Sequence, residues 1–309
     1  MKILFIGKFD SYPWGEIPTE FFVADSLQKK GCKVICLDVD KLINGKPIEQ
    51  NIKNDVDIVL FASGILQLPL EHFKSILGKI KAVKVLYTND WIFLNKEREQ
   101  IYLERLSYFD LLITSDSVDY KEYGIKQVRI PMACLPSYKF EPAPSEKLVF
   151  IGAVHYSKER REFLDKIRGC FGKLDVYGYC GNKNPIYGQE LEKTIQRYKI
   201  VLGHNHINNS ESYWSSRNYI IPGYGGFLIT PYVEGLEKEF EDKKHIVWYN
   251  SFEECVDLIR YYLEHDEERE KIRKQGYEYV QKVHIWDIRI KEFVKFFKEV
   301  NKNAGVVRG

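Results

Sequence analysis

Long hydrophobic runs are missing from this chain of 309 residues. No stretch approaches the roughly 18 apolar residues that a membrane-spanning helix needs, so we expect no transmembrane segment. The amino-terminal MKILFIGKFD contains an apolar run of only a few residues, broken by Lys8 and Asp10, and no cleavage-site pattern follows it. This segment is therefore interpreted as a buried first strand and not as a signal peptide.

A large excess of charge of one sign is also lacking, since the formal net charge is +2 with 29% charged residues. This balance argues against a generic nucleic-acid-binding protein, although it is compatible with a local basic patch. The six cysteines show neither a CxxC pair nor the spacing of a disulfide framework. We therefore expect reduced, mostly buried thiols and a cytoplasmic location.

A repeated pattern of apolar run, turn and helical stretch fills the first half of the chain. Its apolar runs are rich in Val, Ile and Leu and do not alternate with polar residues, as is typical of parallel strands covered on both faces. The segment 138–147 breaks the pattern with two prolines and several charges, and it is the best candidate for a linker. The predicted strands are 2–7, 33–37, 57–62, 83–88, 111–115 and 128–130.

The same pattern restarts after the linker, with strands expected at 147–152, 174–177, 200–204, 226–230 and 246–249. Two consecutive βα-repeating halves predict an α/β protein with two Rossmann-like, doubly wound parallel-sheet domains facing a cleft. We assign residues 1–140 to the first domain, 147–285 to the second and 286–309 to a C-terminal helix. Ligands bind such sheets at the carboxyl ends of the strands, so functional residues should lie in the loops that follow them.

Two loops of the first domain place a carboxylate after a strand. Asp10 follows the first strand, and Asp90 follows the fourth and precedes Trp91. A carboxylate at such a position can take a proton from an acceptor hydroxyl. Each residue also has an ordinary structural alternative, Asp10 as a solvated loop residue and Asp90 as a helix N-cap. The first loop does not read GxGxxG, so a classical dinucleotide fingerprint is absent.

Loops of the second domain supply candidates for binding a nucleotide. Gly152 ends a strand and would let the next helix approach a diphosphate, and Arg160 or Arg161 would add charge-assisted hydrogen bonds. Arg217 lies in the first turn of another predicted helix, where a cation is unfavourable unless an anion is also present. A histidine pair beginning at His204 lacks an evident third ligand, so we expect polar lining and no metal site. The other candidates for donor binding are His155, Gly178, Tyr179, Asn205, Ser215, Gly225, Gly226, Glu234, Gly235 and Glu237.

The segment 212–293 carries a longer pattern. An arginine begins a helix, a glycine precedes a Phe-x-x-Thr strand, and a Gly-Leu-x-x-x-Phe loop follows. A His-x-Val-x-Tyr strand, a helix ending in Tyr-Leu and a tail with Arg, Gly, His and Arg complete it. The residues are Arg217, Gly225, Phe227, Thr230, Gly235, Leu236, Phe240, His245, Val247, Tyr249, Tyr262, Leu263, Arg269, Gly276, His284 and Arg289. With them the chain resembles the glycosyltransferases typified by the spore-maturation CgeB proteins, and residues 150–163 resemble the first strand and helix of the same domain.

The resemblance implies a GT-B fold and transfer of a sugar from a nucleoside-diphosphate sugar to an unidentified glycan, protein, small-molecule or nucleic-acid acceptor. It implies donor binding mainly by the second domain, acceptor binding by the first, and a final helix that crosses back to the first domain. No metal or other cofactor is expected, because Arg217, Arg160 and helix dipoles would stabilise the leaving diphosphate. In an inverting enzyme Asp10 or Asp90 would orient or deprotonate the acceptor.

One position departs from the family pattern. Many relatives have a glutamate three residues after the arginine, placed for the ribose hydroxyls of the donor, and this chain has Ile220 there. Glu234 or Glu237 could replace it. Two alternatives to a transferase stay open: a non-catalytic nucleotide-sugar-binding or assembly protein, which Ile220 favours, and a nucleotide-sugar epimerase on the same fold.

Overall fold

The computed structural model describes residues 1–12, 17–43, 56–89, 96–137, 139–141, 144–155, 157–208 and 210–308. Asp90 and Trp91 lie outside these residues. The chain divides into two compact units, one formed by Met1–Pro131 with Trp286–Gly309 and the other by Met132–Ile285. Each unit contains one parallel sheet, so the predicted α/β class with two doubly wound domains is confirmed.

The first unit is built on six parallel strands in the order β2-β1-β3-β4-β5-β6. Every residue of the third strand, IVLFA, is buried, which explains why its sequence has no polar alternation. The strands are β1 (Lys2–Gly7), β2 (Lys33–Asp38), β3 (Ile58–Ala62), β4 (Val83–Thr88), β5 (Leu111–Thr114) and β6 (Gln127–Arg129). The α-helices before the second unit are α1 (Thr19–Lys29), α2 (Val39–Ile43), α3 (Leu70–Gly78) and α4 (Lys96–Leu106).

The second unit has five parallel strands in the order β11-β10-β9-β7-β8. The strand order reverses at β7, which has β8 on one side and β9 on the other, and ligands bind at such a switch point in α/β sheets. The strands are β7 (Glu146–Ile151), β8 (Asp175–Tyr177), β9 (Tyr198–Leu202), β10 (Leu228–Pro231) and β11 (Val247–Tyr249). The helices are α5 (Lys158–Phe171), α6 (Gly188–Arg197), α7 (Arg217–Gly223), α8 (Phe252–Glu264) and α9 (Asp266–Val283).

The last helix, α10 (Trp286–Arg308), packs within the first unit. The Phe293 ring lies 5.3 Å from the Tyr87 ring of β4. The Ser26 hydroxyl of α1 donates a hydrogen bond of 2.8 Å to Asp287. The predicted return of the final helix to the first domain is therefore confirmed. Its buried apolar side chains, spaced to lie on one helical face, are Trp286, Ile290, Phe293, Phe297 and Val300.

Two expectations from composition can be compared with the structure. None of the helices in the described part of the chain combines the length and the apolar character needed to cross a bilayer. All six cysteines are free, but only half of them are buried, so the expectation of mostly buried thiols was wrong for the rest. The three exposed cysteines lie at an exposed position of β2, at the end of α5 and in the loop after β8. The buried set is Cys32, Cys134 and Cys255, and the exposed set is Cys36, Cys170 and Cys180.

Helix α9 packs directly on the backbone that leads into β11. A Cβ atom added to Gly276 would lie 2.1 Å from the carbonyl oxygen of His245 and 3.4 Å from Cβ of Pro222. The oxygen belongs to the main chain, so it cannot move aside as a flexible side chain would. A glycine at this position is required by the close approach of the helix.

Substituting Gly276 by alanine is expected to destabilise the second unit by about 1–3 kcal/mol or more, because the helix and the His245 backbone must separate. Gly169→Ala, in the exposed part of α5, is the matched control. Its new Cβ would meet nothing within 4 Å, and alanine favours a helix interior over glycine by about 1 kcal/mol. Urea unfolding of both variants should therefore shift the midpoint in opposite directions, and equal midpoints would contradict the close packing.

Candidate functional site

The loops after β7 and β9 meet at the switch point of the second sheet. Gly152 follows β7 with a φ of 148°, a conformation that favours glycine. A Cβ atom there would lie 2.6 Å from Nη1 of Arg217, so this guanidinium rests against the loop backbone. Nη2 of Arg217 donates a hydrogen bond of 2.9 Å to the carbonyl oxygen of His204, after β9. One side chain from the start of α7 therefore bridges both loops.

A second arginine, from the first turn of α5, reaches the same loop. The Ser157 hydroxyl caps α5 by accepting a hydrogen bond of 3.2 Å from the amide of Arg160. Nη1 of Arg160 donates to the carbonyl oxygen of Ala153 at 2.6 Å. The guanidinium carbons of Arg160 and Arg217 lie 5.7 Å and 5.3 Å from the centre of the Phe150 ring. Two cations thus share one aromatic ring and one loop.

Neither arginine forms an ion pair with a carboxylate of the described residues. The Nε atom of each is buried and has no hydrogen-bond partner there. Removing a charge from water is costly unless an opposite charge and hydrogen bonds compensate for it. The arrangement of Arg160 and Arg217 is therefore suited to an anion that supplies the missing acceptors.

The charges of the site follow from this burial. Burial, together with the neighbouring cation of Arg160, lowers the pKa of Arg217 to about 9. Burial lowers the pKa of Arg160 to about 10. Burial and both arginines lower the pKa of His204 to about 4, against the opposing effect of its hydrogen bond to Asn205. Near neutral pH the site therefore holds two positive charges and an uncharged imidazole.

Hydrogen bonds fix the polar groups beside the arginines. Nδ1 of His204 lies 2.9 Å from the carbonyl oxygen of Asn205, so Nδ1 carries the proton of the neutral ring and Nε2 is left as an acceptor. The Asn205 side-chain oxygen accepts from the Ser215 amide at 3.0 Å. The Ser215 hydroxyl accepts from the Arg217 amide at 3.3 Å. These four predicted residues form one connected group.

Three other predicted residues, His155, Gly178 and Tyr179, lie on the adjoining loops after β7 and β8. A Cβ atom at Gly178 would lie 2.1 Å from the carbonyl oxygen of Gly152, so the two loops touch through their backbones. The Val154 amide donates to the carbonyl oxygen of Tyr179 at 2.9 Å. The rings of His155 and Tyr179 meet edge to face, with centres 5.9 Å apart.

The loop after β10 carries Glu234, Gly235 and Glu237. The amide of Ser212 donates to the carbonyl oxygen of Glu234 at 2.7 Å, which joins this loop to the one that leads into α7. The Glu237 carboxylate accepts from the Gly235 amide and the Tyr232 hydroxyl, both at 3.0 Å. Glu234 is exposed. In the described structure neither carboxylate is paired with the two arginines, so this loop does not neutralise the site.

Gly225 and Gly226 lie at the amino ends of the strands, opposite the site, in the turn from α7 into β10. Gly225 has a φ of 74°, and its carbonyl oxygen accepts a hydrogen bond of 2.6 Å from Arg273 of α9. A Cβ atom at Gly226 would lie 2.5 Å from the Ile195 side chain of α6. The structure does not bring these glycines to the arginines, because the turn needs them where helices pack against it.

Asp10 is exposed in the first unit, in the loop after β1. Its amide and that of Phe9 donate to the Asp38 carboxylate at 3.3 Å and 2.9 Å. Lys8 pairs with Asp38 at 3.8 Å and also with Asp40. Sequence reasoning missed this group, although the Asp-x-Asp spacing directly after β2 was a usable signal. Asp38 shapes the loop that presents Asp10.

The tail of the family pattern has structural roles in the second unit. Nη1 of the buried Arg269 donates to the carbonyl oxygen of Tyr262 at 2.7 Å, which joins α9 to α8. The His284 ring lies 5.3 Å from the Tyr219 ring of α7 and 5.2 Å from Phe240. These contacts hold α7, which begins with the site arginine Arg217, against α9.

Comparison with known proteins agrees with the enzyme class that the sequence predicts. Residues 158–295 match the family model described as glycosyl transferase-like, which covers α5 through most of α10. No curated protein matches the chain significantly. The segment that matches includes both site arginines and the loops after β8, β9 and β10, whereas the strand β7 precedes it.

Solved structures extend the likeness to both units. Sucrose-phosphate synthase from Thermosynechococcus elongatus is 10% identical and covers 97% of this chain and 98% of its own, with a TM-score of 0.66. An alpha-glucosyltransferase in complex with UDP is 12% identical and covers 96% and 100%, with a TM-score of 0.68. HepE from Anabaena, in complex with UDP and glucose, is 10% identical and covers 97% and 100%, with a TM-score of 0.65. At these identities the likeness shows the fold, and that fold is GT-B.

Proposed function

We propose that the chain is a glycosyltransferase that uses a nucleoside-diphosphate sugar as its donor. The observation that carries the proposal is the pair Arg160 and Arg217, one buried and one half-buried cation without a carboxylate partner among the described residues, at the switch point of the second sheet. Two positive charges match a diphosphate better than a singly charged phosphodiester. Structures of two proteins with this fold contain UDP, which supports the same assignment.

The proposed chemistry follows from this charge. The acceptor oxygen forms a bond to the anomeric carbon of the donor sugar while the bond from that carbon to the diphosphate breaks. Negative charge develops on the leaving nucleoside diphosphate, and Arg160 and Arg217 stabilise it without reorganisation, because hydrogen bonds to Ala153 and His204 already hold them. We assign acceptor binding to the first unit, with Asp10 or Asp90 orienting or deprotonating the hydroxyl if the enzyme inverts.

The remaining donor contacts are also proposals. His204 and Asn205 would accept or donate hydrogen bonds beside the diphosphate, and Glu234 or Glu237 would serve the ribose where Ile220 replaces the usual glutamate. Membership of the CgeB-like group and a cytoplasmic location likewise rest on the sequence resemblance and the cysteine pattern. The acceptor stays open among glycans, proteins, small molecules and nucleic acids. One structure with the same fold contains a 13-mer DNA, so nucleic acid belongs in an acceptor screen.

Thermal stabilisation by UDP-, GDP-, ADP- and TDP-sugars tests the proposal directly. A donor present at about 100 times its dissociation constant should stabilise the protein by about 2.7 kcal/mol and raise the melting temperature. We expect one of these donors to do so and inorganic phosphate to do so less. Release of free sugar or its transfer to an acceptor, measured with the donor that binds, then tests for turnover. No shift with any donor would overturn the assignment.

Activity is expected to survive EDTA. The described residues contain no group of three or more His, Cys, Asp and Glu side chains that could hold a metal. The Asp-x-Asp pair at the end of β2 already has partners within the chain, because Lys8 contacts both Asp38 and Asp40 and the amides of Phe9 and Asp10 donate to Asp38. Turnover should therefore be equal with EDTA and with added magnesium or manganese. Loss of turnover on chelation, restored by either metal, would contradict a metal-independent mechanism.

A non-catalytic donor-binding protein is the second candidate, because Ile220 stands where relatives place a carboxylate. Ile220 is partly buried and packs against the apolar cluster around β9 and α7. The alternative predicts tight donor binding with no hydrolysis and no transfer to any acceptor. An epimerase predicts isomerised donor without acceptor. Product analysis with donor alone, and then with acceptor pools, distinguishes the three.

A further inference from the structure

An exposed aromatic side chain stands on a rigid loop beside the two arginines. Tyr179 is 40% exposed, one of four large apolar side chains of the described residues with that much exposure. It follows β8, the strand on the other side of β7 from β9. Its ring therefore offers solvent-accessible aromatic surface next to the anion site.

The loop that presents Tyr179 is held by its own hydrogen bonds. The Gly181 amide donates to the carbonyl oxygen of Gly178 at 2.9 Å. The Asn182 side chain accepts from the Val176 amide at 2.8 Å and donates to the Leu174 carbonyl oxygen at 3.0 Å. These bonds close the loop back on β8 and fix the position of Tyr179.

The same loop is connected directly to the anion site. The Tyr179 carbonyl oxygen accepts from the Val154 amide at 2.9 Å, and the neighbouring Ala153 carbonyl oxygen accepts from Arg160 at 2.6 Å. The loop that carries Tyr179 and the Arg160 side chain therefore bind adjacent residues of the loop after β7. The His155 ring meets Tyr179 edge to face at 5.9 Å and adds a second aromatic surface.

We propose that Tyr179, supported by His155, is the platform on which the nucleobase of the donor stacks when its diphosphate binds Arg160 and Arg217. This inference rests on the proposed function, since it takes the anion to be a nucleoside diphosphate. A planar base stacks on a tyrosine face, and the stacking is tolerant of base identity because every base has a π face. Choice among bases must then come from polar groups around the ring. The platform supplies affinity for the nucleoside and none for the phosphates.

The test compares two probes on the full-length protein by titration calorimetry. UDP, GDP, ADP and TDP are titrated as nucleoside diphosphates, and inorganic pyrophosphate reports on the anion site alone. For the nucleotide that binds best, Tyr179→Ala is expected to weaken binding by about 5- to 150-fold, the equivalent of the roughly 1–3 kcal/mol typical of base–aromatic stacking. Pyrophosphate affinity should be unchanged, and Tyr179→Phe should bind as the wild type does.

Tyr261→Ala is the matched control, because Tyr261 is 42% exposed on α8 and its hydroxyl donates a hydrogen bond to Glu268 of α9. It should change neither affinity. The platform is overturned if Tyr179→Ala leaves nucleotide affinity intact, if it weakens pyrophosphate equally, or if the wild type binds no nucleotide more tightly than pyrophosphate. In the last case the anion site and the proposed function survive if nucleotide sugars still turn over. A wild type that binds neither probe overturns both.

Discussion

Replacing Arg217 with alanine is expected to weaken binding of a nucleoside diphosphate by roughly ten- to more than hundredfold. A charge-assisted hydrogen bond to phosphate contributes about 1.5–3 kcal/mol, and this guanidinium is placed to give at least one from its unpartnered Nε. The loss should also appear with pyrophosphate, because the proposed contacts of this arginine are to the phosphates and not to the base. Titration calorimetry with UDP and pyrophosphate measures both.

Arg161→Ala is the control for this variant. Arg161 is the exposed neighbour of Arg160 on α5. Its substitution removes one positive charge close to the site without removing a site residue. We expect only a small, salt-dependent loss of affinity, as for a surface charge. If Arg161→Ala and Arg217→Ala weaken binding equally, the effect is one of general charge and the site is wrongly placed.

Replacing Arg217 should weaken ligand binding without lowering the stability of the ligand-free protein. Arg217 is a half-buried cation with a buried, unpartnered Nε beside the cation of Arg160, so without ligand it contributes little to folding or opposes it. Arg217→Met keeps much of the apolar stem that lies over Phe150. Its melting temperature without ligand is expected to equal or exceed that of the wild type, while stabilisation by donor is lost. A large drop without ligand would mean that the arginine serves the fold.

Much of the fold follows from the sequence because the central strands of both sheets are mostly apolar and buried. The predicted strands 2–7 and 83–88 coincide with β1 and β4, and the helix of the family pattern that ends in Tyr-Leu is α8. These segments have clear boundaries, set by Gly7 at the end of β1 and by the Ser251 hydroxyl, which caps α8 through the Glu254 amide at 3.1 Å. Elsewhere the ends differ by a few residues: β9 begins two residues before the predicted start, directly after α6, and β10 begins two residues after it.

The candidate site was predicted less completely than the fold. Arg217 and Arg160 carry a signal in the sequence, since a cation at a helix start is unusual without an anion. Phe150, which lies under both, gives none, because a phenylalanine in a buried strand is indistinguishable from any core residue. Gly225 illustrates the opposite case. It belongs to the family pattern, but the pattern does not say whether a glycine serves a ligand or a turn.

Deleting α10 is expected to unfold the first unit, although the helix is the most distant segment in sequence from β1. Five of its apolar side chains are buried in that unit. At about 1.5–3 kcal/mol for each large apolar side chain, their burial contributes roughly 8–15 kcal/mol, as much as the whole stability of a typical domain. Removal of residues 286–309 would also expose the apolar surface of α1 and β4 that Phe293 and its neighbours cover. The truncated chain should therefore aggregate or bind a hydrophobic dye.

Point variants separate this packing from a general effect of truncation. Phe297 is fully buried, and Phe296, at the preceding position of the same helix, is only partly buried. Phe297→Ala is expected to cost about 3–5 kcal/mol, as for a large side chain removed from a core, and Phe296→Ala much less. Thermal unfolding of the full-length variants measures the difference, and protease sensitivity of the first unit locates it. If the truncated protein melts as the full chain does and still turns over donor, α10 is not part of the first unit's core. If the two phenylalanine variants are equally stable, its buried face has been assigned wrongly.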